Sequence, residues 1–191
     1  AIDPALRAEI AAHKAAIIDL LKQRQAPAPR AAADLAGTAG FDPEAAHPLS
    51  LFQERLFVLS QLQPDDTAFN LIAVIPITGG IDPARLAEAL RLVAQRHAIL
   101  RARFVVEADG PVMRHLPAEA IDVEIHDHRT LPVPARQAAV EAAMERANTT
   151  PIDLATGPVT RFAVHIVDDE LSAVLLSSHH IVLDAWSLNL L

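Results

Sequence analysis

Apolar positions along this chain recur with two periods, near 3.6 and near 2, and the changes between them outline its elements. From Ser50 to about Gln61 the spacing is helical: Ser50 is placed to cap the first turn, Leu51, Leu56, Phe57, Leu59 and Leu62 make up the apolar set, and Gln53 and Arg55 stand among the polar positions. Residues 70–78 (NLIAVIPIT) form a β-rich run closed by Gly79-Gly80, and Pro76 within it points to a sheet edge. Asp82-Pro83 opens a helix to about Ala98, with Leu86, Leu90, Val93, Ala94 and His97 on or near its inner stripe. Strands follow over 100–106 and 112–116, joined by a hairpin turn at Asp109-Gly110. Residues 121–126 alternate, with Ile121, Val123 and Ile125 on one face. A helix over 134–148 faces inward with Val140 and Met144, and residues 151–158 are a loop. Strands over 160–167 and 171–179 pair across the acidic turn Asp168-Asp169-Glu170, and a further helix opens in 185–191. The order is α–β–α–β–β–β–α–β–β, an α/β (α+β) sandwich in which a mixed sheet is covered by helices.

Ahead of this stands a stretch of different character. Residues 3–24 pattern as an amphipathic helix: Asp3 caps it, Pro4 suits its first turn, Leu6, Ile10, Ile17, Leu20 and Leu21 share a stripe, and Lys22 and Arg24 lie in its last turn. It either packs on its own domain or binds a partner. Residues 25–47 are rich in Ala, Pro and Gly and read as a linker, so the globular domain spans 48–191. The first residue is Ala1 rather than Met, so a piece of a longer protein is expected.

Composition narrows the function classes. A chain of 191 residues that is 51% hydrophobic can bury a sizeable core. A net charge of −8 with no strongly basic stretch argues against nucleic acid or an anionic membrane as partner. Cys is absent, which excludes disulfides and thiolate metal sites. There is no apolar run of the roughly 18 residues that cross a bilayer and no signal peptide, so a cytoplasmic protein is expected. Neither G-x-G-x-x-G nor a Walker-type phosphate loop occurs.

The candidate chemistry is concentrated in Ser177-Ser178-His179-His180-Ile181-Val182-Leu183-Asp184-Ala185-Trp186-Ser187, at the carboxyl end of an apolar strand. Adjacent strand residues point to opposite faces, so His179 and His180 do not jointly hold a metal, and no H-E-x-x-H pattern accompanies them. Either both are hydrogen-bonded structural histidines, or one takes or holds a proton near neutral pH. Asp184 is placed to orient a histidine or to pair with an arginine. A serine nucleophile lacks its G-x-S-x-G elbow. Arg96 and Arg101 flank a helix end, where the dipole favours cations, and Arg101 is alternatively a buried partner for an Asp such as Asp184. His126-Asp127-His128 reads as a solvated loop rather than a metal site.

Four segments, in order, resemble the core motifs of nonribosomal peptide synthetase condensation domains. Ser50-Leu51-Phe52-Gln53-Glu54-Arg55-Leu56-Phe57-Val58-Leu59 resembles S-x-x-Q-x-R-L-W-x-L, and Arg96-His97-Ala98-Ile99-Leu100-Arg101-Ala102-Arg103-Phe104 resembles R-H-E-x-L-R-T-x-F. Pro151-Ile152-Asp153-Leu154-Ala155-Thr156-Gly157-Pro158-Val159-Thr160-Arg161 resembles P-F-D-L-x-x-G-P-L-x-R, and residues 179–187 resemble H-H-x-x-x-D-G-W-S. The resemblance implies a chloramphenicol acetyltransferase-like lobe, the first of two that enclose a tunnel; the second lobe is not in this chain. It implies amide-bond formation between an acyl or peptidyl thioester on an upstream carrier protein and an aminoacyl thioester on a downstream one. Substrates arrive on phosphopantetheine arms, and no cofactor is bound by the domain itself. His180 is then the catalytic histidine, His179 its buried neighbour, Asp184 a structural residue held by an arginine (Arg101 in this lobe, or one in the other), and Trp186 and Ser187 supporting residues. Residues 1–24 resemble the last helix of a docking domain, which implies a partner in the carboxyl tail of an upstream synthetase subunit. Residues 1–191 alone are expected to be inactive, since the tunnel needs two walls.

Three positions depart from the family pattern. Ala185 stands where the family has Gly, Ile152 where it has Phe, and Ala98 where it has Glu. Ala185 leaves open a reading as a non-catalytic module that recruits carrier proteins or another enzyme. A related domain for epimerisation, ester formation or starter acylation is the other alternative.

Overall fold

From His47 onward the elements run β1 (His47–Pro48), α1 (Leu51–Leu62), β2 (Asn70–Thr78), α2 (Pro83–Arg96), β3 (Ala102–Glu107), β4 (Gly110–His115), β5 (Val123–Asp127), α3 (Val133–Thr149), β6 (Thr160–Ile166), β7 (Leu171–His179) and α4 (Ala185–Leu188). They come from a computed structural model that describes residues 14–15, 42 and 44–191. The chain divides into two units, Ala1–Asp42 and Pro43–Leu191. In the first, Lys14 and Ala15 are helical and exposed. The rest of the helix expected over 3–24, and residues 25–41 of the expected linker, lie outside the described residues.

β7 ends in His179, with His180 next in the turn, and its burial explains why it does not alternate. It lies within a four-stranded sheet of order β2-β7-β6-β5, antiparallel to β2 and β6, while β5 runs parallel to β6. Helix α2 covers one face, where Ala87 and Ala94 meet Phe162, Val164, Val174 and Leu176. Helix α3 lies over the other, against Val74, Ala173 and Leu175. A strand sandwiched in this way needs side chains that tolerate burial on both sides, so Ser172 to His179 are all buried. Pro76 is accommodated because β2 is an edge strand.

The hairpin of β3 and β4 does not join this sheet. With β1 it makes a separate three-stranded sheet of order β1-β4-β3, so His47 and Pro48 are strand residues of the globular unit. The free side of β3 is taken by the 151–159 loop instead of a strand: Phe104 N–H donates to Leu154 O (2.7 Å) and Val159 N–H donates to Ala102 O (3.3 Å). The same loop reaches the other sheet, where His179 N–H donates to Val159 O (3.1 Å). Ile152, Leu154 and Val159 fill a core with Ala102, Phe104, Leu56 and Phe57 under α1. Ile152 in place of Phe therefore serves as ordinary core packing.

Three inward expectations are corrected. On α1, Leu56 and Phe57 are buried, but Leu51 (85% exposed) and Leu62 (72%) face outward, because only one flank of this helix meets its core. On α3, Ala143 rather than Met144 joins Val140 in the interior. Ile125 is exposed on β5, an edge strand with a neighbour on one side only.

Gly157 marks the closest approach within the seam between the sheets. Its φ is +55°, and a Cβ there would lie 3.0 Å from Ala102 O and 3.0 Å from Arg103 Cβ. Gly157→Ala is expected to lower stability by about 1–3 kcal/mol, from left-handed strain plus the clash. The check is the denaturant midpoint of the chain, and an unchanged midpoint contradicts the seam's tightness.

Candidate functional site

The site is the turn that follows β7. His179 is the last strand residue, and its ring turns into the packed interior (4% exposed) near the ring of Phe69, with centroids 5.9 Å apart. Its Nδ1 accepts a hydrogen bond from Ile181 N–H (3.1 Å), and its carbonyl accepts one from Val182 N–H (3.1 Å). An Nδ1 that accepts carries no proton, so the fold requires neutral His179. Burial pushes its pKa down to about 4, helped by the neighbouring His180. His179 is thereby committed to structure, with its accepting nitrogen already used.

His180 is disposed differently. Its main-chain N–H donates to Phe69 O (2.9 Å), which ties the turn to the start of β2. Its ring makes no hydrogen bond among the described residues and stands between two clefts. One, of about 230 Å³, is lined by Ser50, Gln53, Asp184 and Ser187. The other, of about 290 Å³, is mostly apolar and lined by Phe52, Arg55, Leu56, Leu59 and Phe69. Larger depressions of about 580 and 420 Å³ are lined by Arg101, Arg103 and Arg114 and by Glu124, His126, Arg146 and Arg161, and neither is lined by His180. An imidazole open to a polar and an apolar cleft can exchange a proton with a group held there.

Asp184 and Arg101 do not meet in the way expected. Asp184 is exposed and is the N-cap of α4: its Oδ1 accepts from Ser187 N–H (2.7 Å) and from Ser187 Oγ (2.6 Å). These bonds, the hydroxyl's first, hold its carboxyl below the usual carboxylate range. Arg101 is buried (7% exposed), and it donates through Nε to Ala94 O (3.0 Å) and through Nη1 to Leu116 O. It fastens the end of α2 to the end of β4. A helix carbonyl and a turn carbonyl are acceptors enough for a buried guanidinium, so the expected pair with Asp184 is not formed. Trp186 is 75% exposed, and Ser187 serves Asp184.

Ala185 is exposed, and its φ is not positive, as no described non-glycine residue has a positive φ. Its backbone conformation therefore does not demand glycine.

Two contributors were not singled out in the sequence. Gln53 donates through Nε2 to Ile181 O (3.2 Å), across 128 positions of chain. Asn70, opposite His179 in the β2–β7 ladder, donates through Nδ2 to Ala147 O, Asn148 O and Thr150 O and so closes the end of α3. A capping box on 50–53 is legible from spacing, but the long-range partner of its glutamine is not.

The His126-Asp127-His128 segment is no solvated loop. His126 and Asp127 end β5, and the rings of His126 and His128 stack on buried His165 of β6, with centroids 4.8 and 5.2 Å away. His128 Nε2 and His165 Nδ1 are hydrogen-bonded at 2.9 Å. Burial, then the neighbouring imidazoles, pushes His165 down to about 4. No group able to hold a metal ion is found among the described residues.

The family model described as "Condensation domain" matches residues 44–191. Chondramide synthase cmdD of Chondromyces crocatus is 36% identical over 141 residues, covering 74% of this chain and 4% of that protein. Phosphinothricin tripeptide synthetase PhsB of Streptomyces viridochromogenes is 33% identical over 150 residues, covering 78% of this chain and 13% of that protein. The chain thus spans a small part of the curated relatives it matches. Among solved structures, the starter condensation domain of rhizomide synthetase RzmA aligns with TM-score 0.68 and 29% identity, over 75% of this chain and 34% of that one. The first condensation domain of the calcium-dependent antibiotic synthetase aligns with TM-score 0.69 and 24% identity over 77% of this chain and 35% of that one, a likeness of fold.

The buried histidines make stability depend on pH. His165 and His179 titrate near 4 in the fold, against 6.5 for the free side chain. The unfolded chain therefore binds protons first as pH falls, so their stabilising effect is complete above pH 6.5 and is lost progressively between 6.5 and 4. The urea midpoint is expected to fall between pH 7.5 and pH 5, and His165→Phe is expected to flatten part of that slope. A midpoint independent of pH would contradict the assignment.

Proposed function

The chain belongs to the condensation-domain family, and from that premise we propose that it forms amide bonds between two carrier-bound substrates in nonribosomal peptide synthesis. The nitrogen of an aminoacyl thioester on a downstream carrier attacks the carbonyl of an acyl or peptidyl thioester on an upstream carrier. The C–N bond forms, the C–S bond breaks, the amine gives up one proton, and the departing sulfur leaves as a thiol on its phosphopantetheine arm. The upstream and downstream carrier proteins are the partners, and a second lobe of the same fold is the other wall of the tunnel. Cytoplasmic location belongs to the same proposal; among the described residues no helix is long and apolar enough to cross a membrane.

One observation supports His180 over His179 as the working residue. The accepting nitrogen of His179 is occupied by Ile181 N–H, while the ring of His180 stands free between two clefts. In this reading His180 accepts the N–H of the attacking amine, orients its lone pair toward the thioester carbonyl, and takes up the proton as the tetrahedral intermediate forms. Holding two tethered reactants in one passage supplies much of the remaining acceleration. Asp184 and Ser187 act by keeping α4 closed behind the turn, and Trp186 presents an apolar surface beside it.

In the full-length synthetase with both carriers loaded, His180→Ala is expected to lower the condensation rate by about 10²–10⁴-fold. His179→Ala is expected to lower stability as well as rate, because it removes a buried ring. Mass spectrometry of carrier-bound products measures the first, and product formation by His180→Ala at the wild-type rate sinks the catalytic assignment.

The amino-terminal residues 1–24 belong to the proposal as a docking helix for the carboxyl tail of an upstream subunit. Removing them is expected to weaken that association in calorimetry and leave condensation within one subunit intact; equal binding removes the docking role.

A further inference from the structure

We propose that Gln53 is the positioning residue for His180, an inference that rests on the catalytic reading of that histidine. The side-chain amide of Gln53 is used at both ends. Its Oε1 accepts from Ser50 N–H (3.0 Å), and its Nε2 donates to Ile181 O (3.2 Å). The two partners fix which end is which, since the first can only donate and the second can only accept. Gln53 N–H in turn donates to Ser50 Oγ (3.2 Å), which completes the capping box. One side chain thus locks the first turn of α1 and the carbonyl of the residue directly after His180.

That carbonyl is where the histidine turn lacks another tether. On the amino side, His179 N–H is bound to Val159 O and His180 N–H to Phe69 O. Within the turn, Ile181 N–H and Val182 N–H both go back to His179. Gln53 supplies the hold from the α1 side, and it lines the same polar cleft as His180. Ile181 C=O and Val182 N–H belong to one peptide plane, held at the N–H by His179 O and at the carbonyl by Gln53. Without the Gln53 end this plane, one peptide beyond His180, is free to tilt and shift the turn, and a displacement of about 1 Å at a reacting group can cost 10²-fold in rate. A pure helix cap would need only the Oε1 half of this arrangement.

Gln53→Glu separates the two halves. A carboxylate still accepts from Ser50 N–H and suits the positive end of α1, so the cap survives. It cannot donate to Ile181 O, and it sets an oxygen against that carbonyl. In the full-length synthetase with both carriers loaded, the expected result is a roughly 10- to 100-fold fall in kcat, with KM for the acceptor carrier unchanged and the melting temperature lowered less than in Gln53→Ala. Hydrogen exchange at Val182 N–H is expected to quicken. Gln53→Ala is expected to lose both stability and rate. Wild-type kcat in Gln53→Glu overturns the proposal, as does unchanged exchange or a rate loss that merely follows a lower melting temperature. His180→Ala measured in parallel distinguishes the two failures: if it is inactive while Gln53→Glu is not, only the role of Gln53 falls, and if it is fully active the catalytic reading falls first.

Discussion

The structure depends on how the main chain is held just after β7. The strand arrives buried between two neighbours, and the sheet ladder ends at His179. The next peptide groups must then find partners outside the ladder or remain unsatisfied in a partly buried place, at a cost of about 1–3 kcal/mol each. They find them in Val159, Phe69, the side chain of His179 and Gln53. The result is a turn fixed by several elements at once.

Apart from Phe69, these partners come from the segments that carry the sequence motifs, and this gives the motifs a physical meaning. The opening motif supplies α1 and Gln53. The arginine motif supplies β3 and Arg101, which fastens the end of α2 to the end of β4. The loop motif 151–161 bonds to both sheets, through Leu154 and Val159, with Gly157 where the backbones come closest. A buried hydroxyl pair, Thr160 and Ser178 at 2.8 Å, adds a polar contact between β6 and β7 one residue before His179. The two histidines are set apart by environment: the buried one is kept neutral and accepts a backbone bond, and the ring of the other stands between the clefts.

Much of this was legible in the sequence because it rests on local rules. The first helix announces itself by Ser50 as its cap, that over 83–96 by Asp82-Pro83, and the β3–β4 hairpin by Asp109-Gly110. The largely apolar run 171–176 reads as a buried strand. The expectation that His179 and His180 part by strand alternation is corrected: His180 lies in the turn beyond β7, and burial rather than alternation sets the two rings apart. What misled was the assumption that a buried arginine and a nearby aspartate seek each other. Arg101 is satisfied by two carbonyls and Asp184 by its own helix, and neither bond leaves a trace in spacing. The stacking of His126 and His128 on His165 was equally hidden, since it joins residues that are neighbours only through the parallel pairing of β5 and β6.

The sequence by itself determined the elements, their order, the motif-bearing segments and the histidine pair at a strand end, because these follow from periodicity, capping and turn chemistry acting over a few residues. Tertiary structure alone decided that the hairpin forms its own sheet, that the 151–159 loop joins it to the histidine strand, that Arg101 and Asp184 serve separate elements, and that Gln53 reaches the turn after His180. Each of these is a hydrogen bond or packing contact between segments far apart in the chain. Its geometry is set by how helices and sheets pack on one another, which no local pattern encodes.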